Sequence, residues 1–244
     1  MKRQIVRKRI RLVLSSLVIS LLLATSACQE KNHQTIDLSG EWQFRMDPDD
    51  RGLDEKWFDG GFAETVQLPG SMVENNKGDD ITLETEWTGG VRNPGWYMDP
   101  NYAPYVDPAN IKFPYWLQPL KKYTGAAWYY KTVVLPENWD GKTVQLTLER
   151  PHWESAVWIN AEHAGTQNSL ATPHVYDVTE YIQPGENMLA VRIDNRTKKI
   201  DPGHNSHSIT DHTQSNWNGI AGEIALTARD RIRFENIEVI PDVA

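Results

Sequence analysis

Cysteine is almost absent from this chain, which has one, Cys28, in 244 residues. A single cysteine excludes an intramolecular disulfide framework, so the fold must be stabilised by its hydrophobic core. Basic residues are also scarce beyond residue 27. The first 27 residues hold six of the 25 lysines and arginines and no acidic residue, which leaves 19 basic against 33 acidic residues and a net charge of −14. This acidic balance argues against nucleic acid and anionic lipid as partners and permits neutral ligands.

Long segments with a helical period are absent from the sequence, as are internal repeats. Short apolar runs are instead separated by turns that contain glycine and proline, a pattern typical of an all-β sandwich. A tight turn is predicted at Asn160 and Ala161, although glycine would be the easier second residue. One predicted strand passes through Trp42 and Phe44, and another begins within 175–182. The other predicted strands are 65–68, 126–135, 143–149, 155–160, 188–194, 223–227 and 233–240.

The N-terminus predicts an export signal. Six basic residues lie at or before Arg11, and an apolar run follows at 12–24, shorter than the roughly 20 residues of a membrane-spanning helix. We expect residues 1–27 to be a lipoprotein signal peptide, Cys28 to be acylated and residues 28–35 to be a polar tether. The segment resembles a bacterial lipobox, with Thr25 where leucine is common; secretion without an anchor is the alternative. The expected location is a bacterial cell-envelope membrane, periplasmic or cell-surface side, reached through the lipid anchor only.

Aromatic residues are abundant, with ten tryptophans and nine tyrosines. Their flat apolar faces suit the C–H faces of sugars, but a tryptophan-rich sandwich core is the interpretation that we favour for most of them. Many lie in an insertion at 75–124, where the strand pattern stops. Because disordered segments are poor in aromatics, we expect this insertion to be folded. Its Trp87, Trp96 and Trp116 either cover a binding site or pack within the insertion.

A polar loop at 204–222 is the predicted recognition site. It is rich in His, Asp, Gln and Asn, and it ends in a short apolar strand after Trp217 and Gly219. No metal site is expected, because the three histidines of the loop follow no established ligand spacing and no helix fixes their geometry. Calcium binding through Asp201 or Asp211 has no better support.

Three groups of residues, taken in order and spacing, resemble the N-terminal sugar-binding domain of family 2 glycoside hydrolases. This family includes β-galactosidases, β-glucuronidases and β-mannosidases. The groups are GEWQF at 40–44 with LPGS at 68–71, AWYYK at 127–131 with WDGK at 139–142 and VWIN at 157–160, and DN at 194–195 with NWNGI at 216–220.

The resemblance implies a jelly-roll β-sandwich of the galactose-binding type at 36–233. In the family an immunoglobulin-like domain and a TIM barrel follow, and the barrel carries two catalytic glutamates. Residues 234–244 are then expected to be a linker or strand leading into the immunoglobulin-like domain. We expect no catalytic residue in this chain, and we expect the acids at 79, 80, 84 and 86 to be solvated loop residues.

The resemblance also implies a set of residues that bind the sugar. In the family a carboxylate six residues before the glycine of the Gly-Ile pair often accepts hydrogen bonds from the sugar. Here Thr213 stands at that position, and the nearest acid is Asp211. Turn capping is the alternative role for the amides, and core packing is the alternative for Trp217. The implied substrate-binding residues are Asp211, His212, Gln214, Asn216, Trp217 and Asn218.

The function implied is therefore binding of a terminal β-linked sugar within a β-galactosidase-like enzyme, in partnership with the immunoglobulin-like and barrel domains. No cofactor is expected. A free-standing glycan-binding lipoprotein of the cell surface is the alternative from another class, and a partner-docking module is a third.

Overall fold

β-Strands form nearly all of the regular structure in the computed structural model, which describes residues 34–88, 98–112, 119–198, 206, 209–211, 215–234 and 237–241. The chain divides into two units, 1–34 and 35–244, and Gln34 is the part of the first unit that is described. The predicted signal peptide and lipidated Cys28 lie outside the described residues and stay predictions. Within the described ranges, no helix has the length and apolar character needed to cross a membrane.

The described residues contain fifteen strands and three short 3₁₀ helices. The strands are β1 (Gln34–Asp37), β2 (Gly40–Asp47), β3 (Glu64–Leu68), β4 (Gly70–Ser71), β5 (Asp79–Asp80), β6 (Lys121–Lys122), β7 (Ala126–Leu135), β8 (Thr143–Leu148), β9 (Pro151–His152), β10 (Glu154–Ile159), β11 (Glu162–Gln167), β12 (His174–Asp177), β13 (Gly185–Asp194), β14 (Gly219–Ile220) and β15 (Ile224–Arg229). The 3₁₀ helices are Trp57–Asp59, Pro100–Tyr105 and Glu137–Trp139.

Two large sheets form a sandwich. The six-stranded sheet has the order β11-β10-β13-β7-β2-β3, and the four-stranded sheet has the order β1-β15-β8-β12. Side chains of both sheets share one buried cluster, which includes Trp42 and Leu189 of the first sheet and Leu146 and Leu226 of the second. The prediction of an all-β jelly-roll sandwich is confirmed.

The sequence pattern of each strand follows from the number of faces that it buries. In β8, Val144, Leu146 and Leu148 are buried and the residues between them are half-buried, because one face of this strand packs on the core. In β7 all of the first five residues, 126–130, are buried. A strand buried on both faces loses the alternation of apolar and polar residues.

A second apolar layer covers the outer face of the six-stranded sheet. Trp128, Tyr130 and Trp158 point away from the sandwich core and pack against the aromatic residues of segment 57–62. The 3₁₀ helix Trp57–Asp59 lies in this segment, and the ring of Phe58 stacks on Trp158 with a centroid distance of 5.4 Å and an interplanar angle of 5°. The aromatic residues therefore lie mainly in two buried clusters, the sandwich core and this outer layer.

The predicted tight turn joins β10 to β11. Asn160 and Ala161 have φ angles of 50° and 67°, both left-handed, as a two-residue hairpin turn requires. The Asn160 side chain supports this geometry, because its Oδ1 accepts a hydrogen bond from Met188 N (2.9 Å) and its Nδ2 donates to Tyr181 O (2.9 Å).

The prediction of a strand at 233–240 is wrong, as far as the structure describes these residues. Residues 233, 234 and 237–240 belong to no strand, and Phe234 and Ile240 are 88% and 80% exposed. Their apolar pattern has no neighbouring strand to pair with among the described residues. Also not predicted were β11, the two-residue strands and β1, whose first two residues fall in the predicted tether at 28–35. Their short polar or glycine-containing sequences carry little β-pattern.

The insertion at 75–124 is folded where the structure describes it. β5 pairs with β6, and Trp87 is buried in a small cluster with side chains that all belong to the insertion, Ile81, Leu83, Tyr102, Val106 and Ile111. Trp87 therefore packs within the insertion, which was one of the two predicted roles. Trp96 and Trp116 lie outside the described residues.

Candidate functional site

A small third sheet holds the end of the predicted recognition loop. β14 lies between β4 and β9, and its Gly219 pairs with both Ser71 and His152. The φ of Gly219 is 139°, and a Cβ added there would overlap the carbonyl oxygen of Gly70. Only glycine fits this close backbone approach, so the chain is fixed directly after Trp217.

Asp211 joins the loop to the insertion. The residue is 2% exposed, and its carboxylate accepts three hydrogen bonds, at Oδ2 from Thr88 N (2.6 Å) and Lys122 Nζ (2.6 Å), and at Oδ1 from Asn216 N (2.7 Å). Asp211 N donates in return to Thr88 O (3.1 Å). We call Thr88, Lys122, Asp211 and Asn216 the clamp, because together they hold two irregular segments in one arrangement.

The clamp contains a buried ion pair. The side chains of Lys122 and Asp211 are 7% and 0% exposed. Burial lowers the pKa of the Lys122 ammonium, and the Asp211 carboxylate opposes that effect. The ammonium also lies 5.8 Å from the ring centroid of Trp87, within cation–π range. A buried charge needs such partners, because its desolvation is costly.

Asn216 extends the clamp toward the six-stranded sheet. Its Nδ2 donates to Thr88 Oγ1 (3.1 Å) and to the carbonyl oxygen of Asn195 (3.0 Å), directly after β13. The side chain of Asn195 in turn donates to Tyr123 O (2.9 Å) and accepts from Gly125 N (2.8 Å). Asn216 Oδ1 is buried and has no hydrogen-bond partner in the described structure.

Asn218 anchors the loop to the sandwich itself. This residue is 1% exposed, its Nδ2 donates to Gly125 O and Ile193 O (both 3.1 Å), and its Oδ1 accepts from the Tyr129 hydroxyl (2.8 Å). All of its partners belong to the chain. The side chain therefore fixes the backbone on either side of it.

Trp217 stands between these two buried asparagines and is itself partly exposed. Its indole stacks on the His152 imidazole with a centroid distance of 4.7 Å and an angle of 24°. The Trp217 carbonyl oxygen lies 2.7 Å from His152 Nδ1. Trp217 is thus partly exposed on a rigid base, and an indole held in this way can pack on the C–H face of a sugar.

The structure brings four of the six predicted site residues together: Asp211, Asn216, Trp217 and Asn218. The other two, His212 and Gln214, lie outside the described residues, as do His204, His207 and Asp201. The predicted contacts with a sugar stay predictions. Five residues that hold the loop are not evident as such in the sequence: Thr88, Lys122, Tyr129, His152 and Asn195. Tyr129 and Asn195 lie in the motifs shared with the family, whereas nothing in the sequence distinguishes Lys122 from Lys121.

The fold and this loop define a known class of domain. Residues 36–230 match the family model described as "Glycosyl hydrolases family 2, sugar binding domain". This match covers most of the chain, and the chain belongs to that family.

Similar proteins include several glycosidases. A β-glucuronidase of Paenibacillus borealis is 25% identical over 160 residues, which cover 65% of this chain and 21% of the relative. A β-galactosidase of Thermoanaerobacter pseudethanolicus is 35% identical over 100 residues, which cover 39% of this chain and 14% of the relative. The chain thus matches a small fraction of the length of these relatives.

Solved structures show the same fold. A β-glucuronidase of an uncultured Clostridium species has a TM-score of 0.57 at 20% identity, over 83% of this chain and 30% of that one. The β-glucuronidase of Ruminococcus gnavus has a TM-score of 0.54 at 17% identity, over 82% and 29% of the two chains.

Proposed function

We propose that this chain supplies the sugar-binding part of a β-glycosidase and holds the terminal sugar of a β-glycoside beside Trp217. Family membership and the similarity to proteins named β-glucuronidase and β-galactosidase support this proposal. The observation that carries it is the clamp. Its buried ion pair and hydrogen bonds fix a polar loop against the sandwich while Trp217 stays partly exposed.

The roles of the predicted ligands follow from their burial. Trp217 offers its ring to the C–H face of a sugar. Asp211 and Asn218 use their side chains on partners within the chain, so we propose that they position the loop. A binding site needs such support, because the residues that contact the sugar must be held within a few tenths of an ångström of the productive geometry.

Hydrolysis is proposed to occur on another domain of the same enzyme. Glycoside hydrolysis requires two carboxyl groups at a controlled separation on rigid elements. The family resemblance implies that both lie on a TIM barrel, and the named relatives extend far beyond the region that matches this chain. We therefore propose a non-catalytic role for this chain in a β-galactosidase-like reaction.

The test is a calorimetric titration of the purified chain with methyl β-galactoside, methyl β-glucuronide and methyl β-mannoside. We expect one of them to bind with a Kd on the order of millimolar or tighter. Trp217→Ala should weaken that binding by about five- to tenfold, because it removes the aromatic face. The matched control is Tyr181→Ala, which removes a partly buried ring near the turn that joins β10 to β11.

Two outcomes would contradict the proposal. One is sugar binding that Trp217→Ala leaves unchanged, which would show that the sugar binds elsewhere on the chain. The other is hydrolysis of nitrophenyl β-galactoside or β-glucuronide by the purified chain alone, because we propose that the catalytic carboxyl pair lies on another domain.

A further inference from the structure

A groove lies on the outer face of the six-stranded sheet, separate from the clamp and from Trp217. Its volume is about 370 Å³. Its lining includes Asp50, Glu154, Trp158, His163, Arg192 and Lys198, and none of these residues belongs to the loop site. We call it the outer groove.

One side of the outer groove is lined by the exposed imidazole of His163 and by Trp158, which is only 6% exposed. The Trp158 indole is fixed by Phe58, which stacks on it at 5.4 Å, and by Trp128, whose centroid is 5.0 Å away. The exposed imidazole of His163, on the paired strand β11, lies 5.0 Å from the Trp158 ring at an angle of 47°. Thr166 Oγ1 lies 3.1 Å from His163 Nε2 and holds that ring in place.

The other side of the outer groove is charged but balanced. Arg192 Nη2 contacts Asp50 (2.5 Å) and Asp194 (3.1 Å), and Lys198 Nζ contacts Glu154 (2.9 Å) and Asp194 (2.8 Å). Arg196 Nη2 also bridges Asp50 (2.9 Å) and Asp194 (2.6 Å). Three carboxylates therefore face three cations, and the network carries no net charge.

The charged groups are held in fixed orientations. The Asp47 carboxylate accepts hydrogen bonds from Arg51 N (2.7 Å) and Gly52 N (2.9 Å), which shapes the turn that carries Asp50. The Arg192 side chain is 5% exposed, and its Nε has no hydrogen-bond partner in the described structure.

We propose that the outer groove is a second saccharide site, which holds an uncharged sugar unit. The exposed imidazole of His163 and the exposed side chain of Leu53, beside oriented donors and acceptors, suit a ligand with apolar C–H faces and many hydroxyl groups. The hydroxyls accept from Lys198, whose side chain is 37% exposed, and donate to the carboxylates of Asp50 and Glu154. A charged sugar gains little, because every charge in the groove already has a partner.

The experiment is an NMR titration of the whole chain in a Trp217→Ala background, so that the loop site does not contribute. The probes are methyl β-glucoside and methyl β-glucuronide, which differ in the carboxylate. We expect the uncharged sugar to shift the indole signal of Trp158 in a saturable way. Thr166→Trp, which fills the groove from an exposed position, should weaken this binding about tenfold or more.

Glu162→Ala is the control, because it changes an exposed residue of the same strand that does not line the groove. Binding that survives Thr166→Trp, or that favours the charged sugar, overturns the proposal. So does the absence of any saturable shift at Trp158. The loop site is judged separately, because its test depends on Trp217 in the unaltered chain.

Discussion

At the scale of single residues, His174 couples the fold to pH. Its side chain is 0% exposed, its Nδ1 lies 2.5 Å from Ser155 Oγ, and its Nε2 lies 2.9 Å from Ser169 O. Burial lowers the pKa of His174 from its usual value of 6.5, and the hydrogen bond with Ser169 partly opposes that shift. The folded state therefore binds this proton less readily than the unfolded chain does.

The sign of the pH dependence follows from that difference. Below pH 6.5 the unfolded chain takes up the proton at His174 while the fold excludes it, so the free energy of unfolding falls as the pH falls toward the folded-state pKa. The contribution is at most about 1.4 kcal/mol per pH unit. Urea denaturation of His174→Gln between pH 7.5 and 5 should show a smaller loss of stability than the unaltered chain.

Tyr176→Phe is the control for this prediction. It removes the hydroxyl that lies 2.7 Å from Ser155 Oγ and leaves the imidazole in place. We expect this variant to be less stable at every pH with nearly the same dependence on pH. An identical pH dependence in His174→Gln and the unaltered chain would show that His174 does not contribute.

At the scale of structural elements, the clamp joins the insertion to the recognition loop through the Lys122–Asp211 ion pair. Removing one member of a buried pair leaves the other charge without a partner and typically costs about 3–5 kcal/mol. We therefore expect Lys122→Met and Asp211→Asn each to lower the free energy of unfolding by about that amount. The double variant should recover much of the loss, because no buried charge is then left unpaired.

Lys121→Met is the matched control. Lys121 is adjacent in the same strand and pairs with Asp80, whose side chain is 87% exposed. An exposed pair of this kind contributes about 1 kcal/mol or less. Chemical denaturation of all four variants gives the comparison, and strictly additive losses in the double variant would contradict coupling across the clamp.

The same elements show what the sequence could predict. The strand at 126–135 was predicted with the bounds that the structure shows, because its apolar run ends at Pro136. The family resemblance implies Asp211 as a site residue, because it is the acid nearest to the family's carboxylate position before Gly219. Its buried partner Lys122 could not be predicted, because that contact joins residues 89 positions apart across an insertion without regular pattern. The prediction of a strand at 233–240 was wrong, because alternating apolar residues do not by themselves provide a neighbouring strand to pair with.

At the scale of the whole molecule, the apolar residues near the C-terminus face solvent. Ile232, Phe234, Ile237, Val239 and Ile240 are between 71% and 96% exposed. Apolar residues exposed in this number commonly mark a surface that another domain or chain covers. The family resemblance predicts that residues 234–244 lead into a further domain of a longer enzyme, and this stays a prediction.

We therefore expect the purified chain to associate with itself through this segment despite its acidic balance. Sedimentation velocity should show a larger apparent mass as concentration rises, and Phe234→Ser with Ile240→Ser should reduce that dependence. Because both side chains are exposed, the free energy of unfolding should change by about 0.5 kcal/mol or less. Val134→Ser with Val175→Ser, at positions 68% and 42% exposed elsewhere on the sandwich, is the control. Equal association in both double variants would show that Phe234 and Ile240 do not contribute to the surface through which the chain associates.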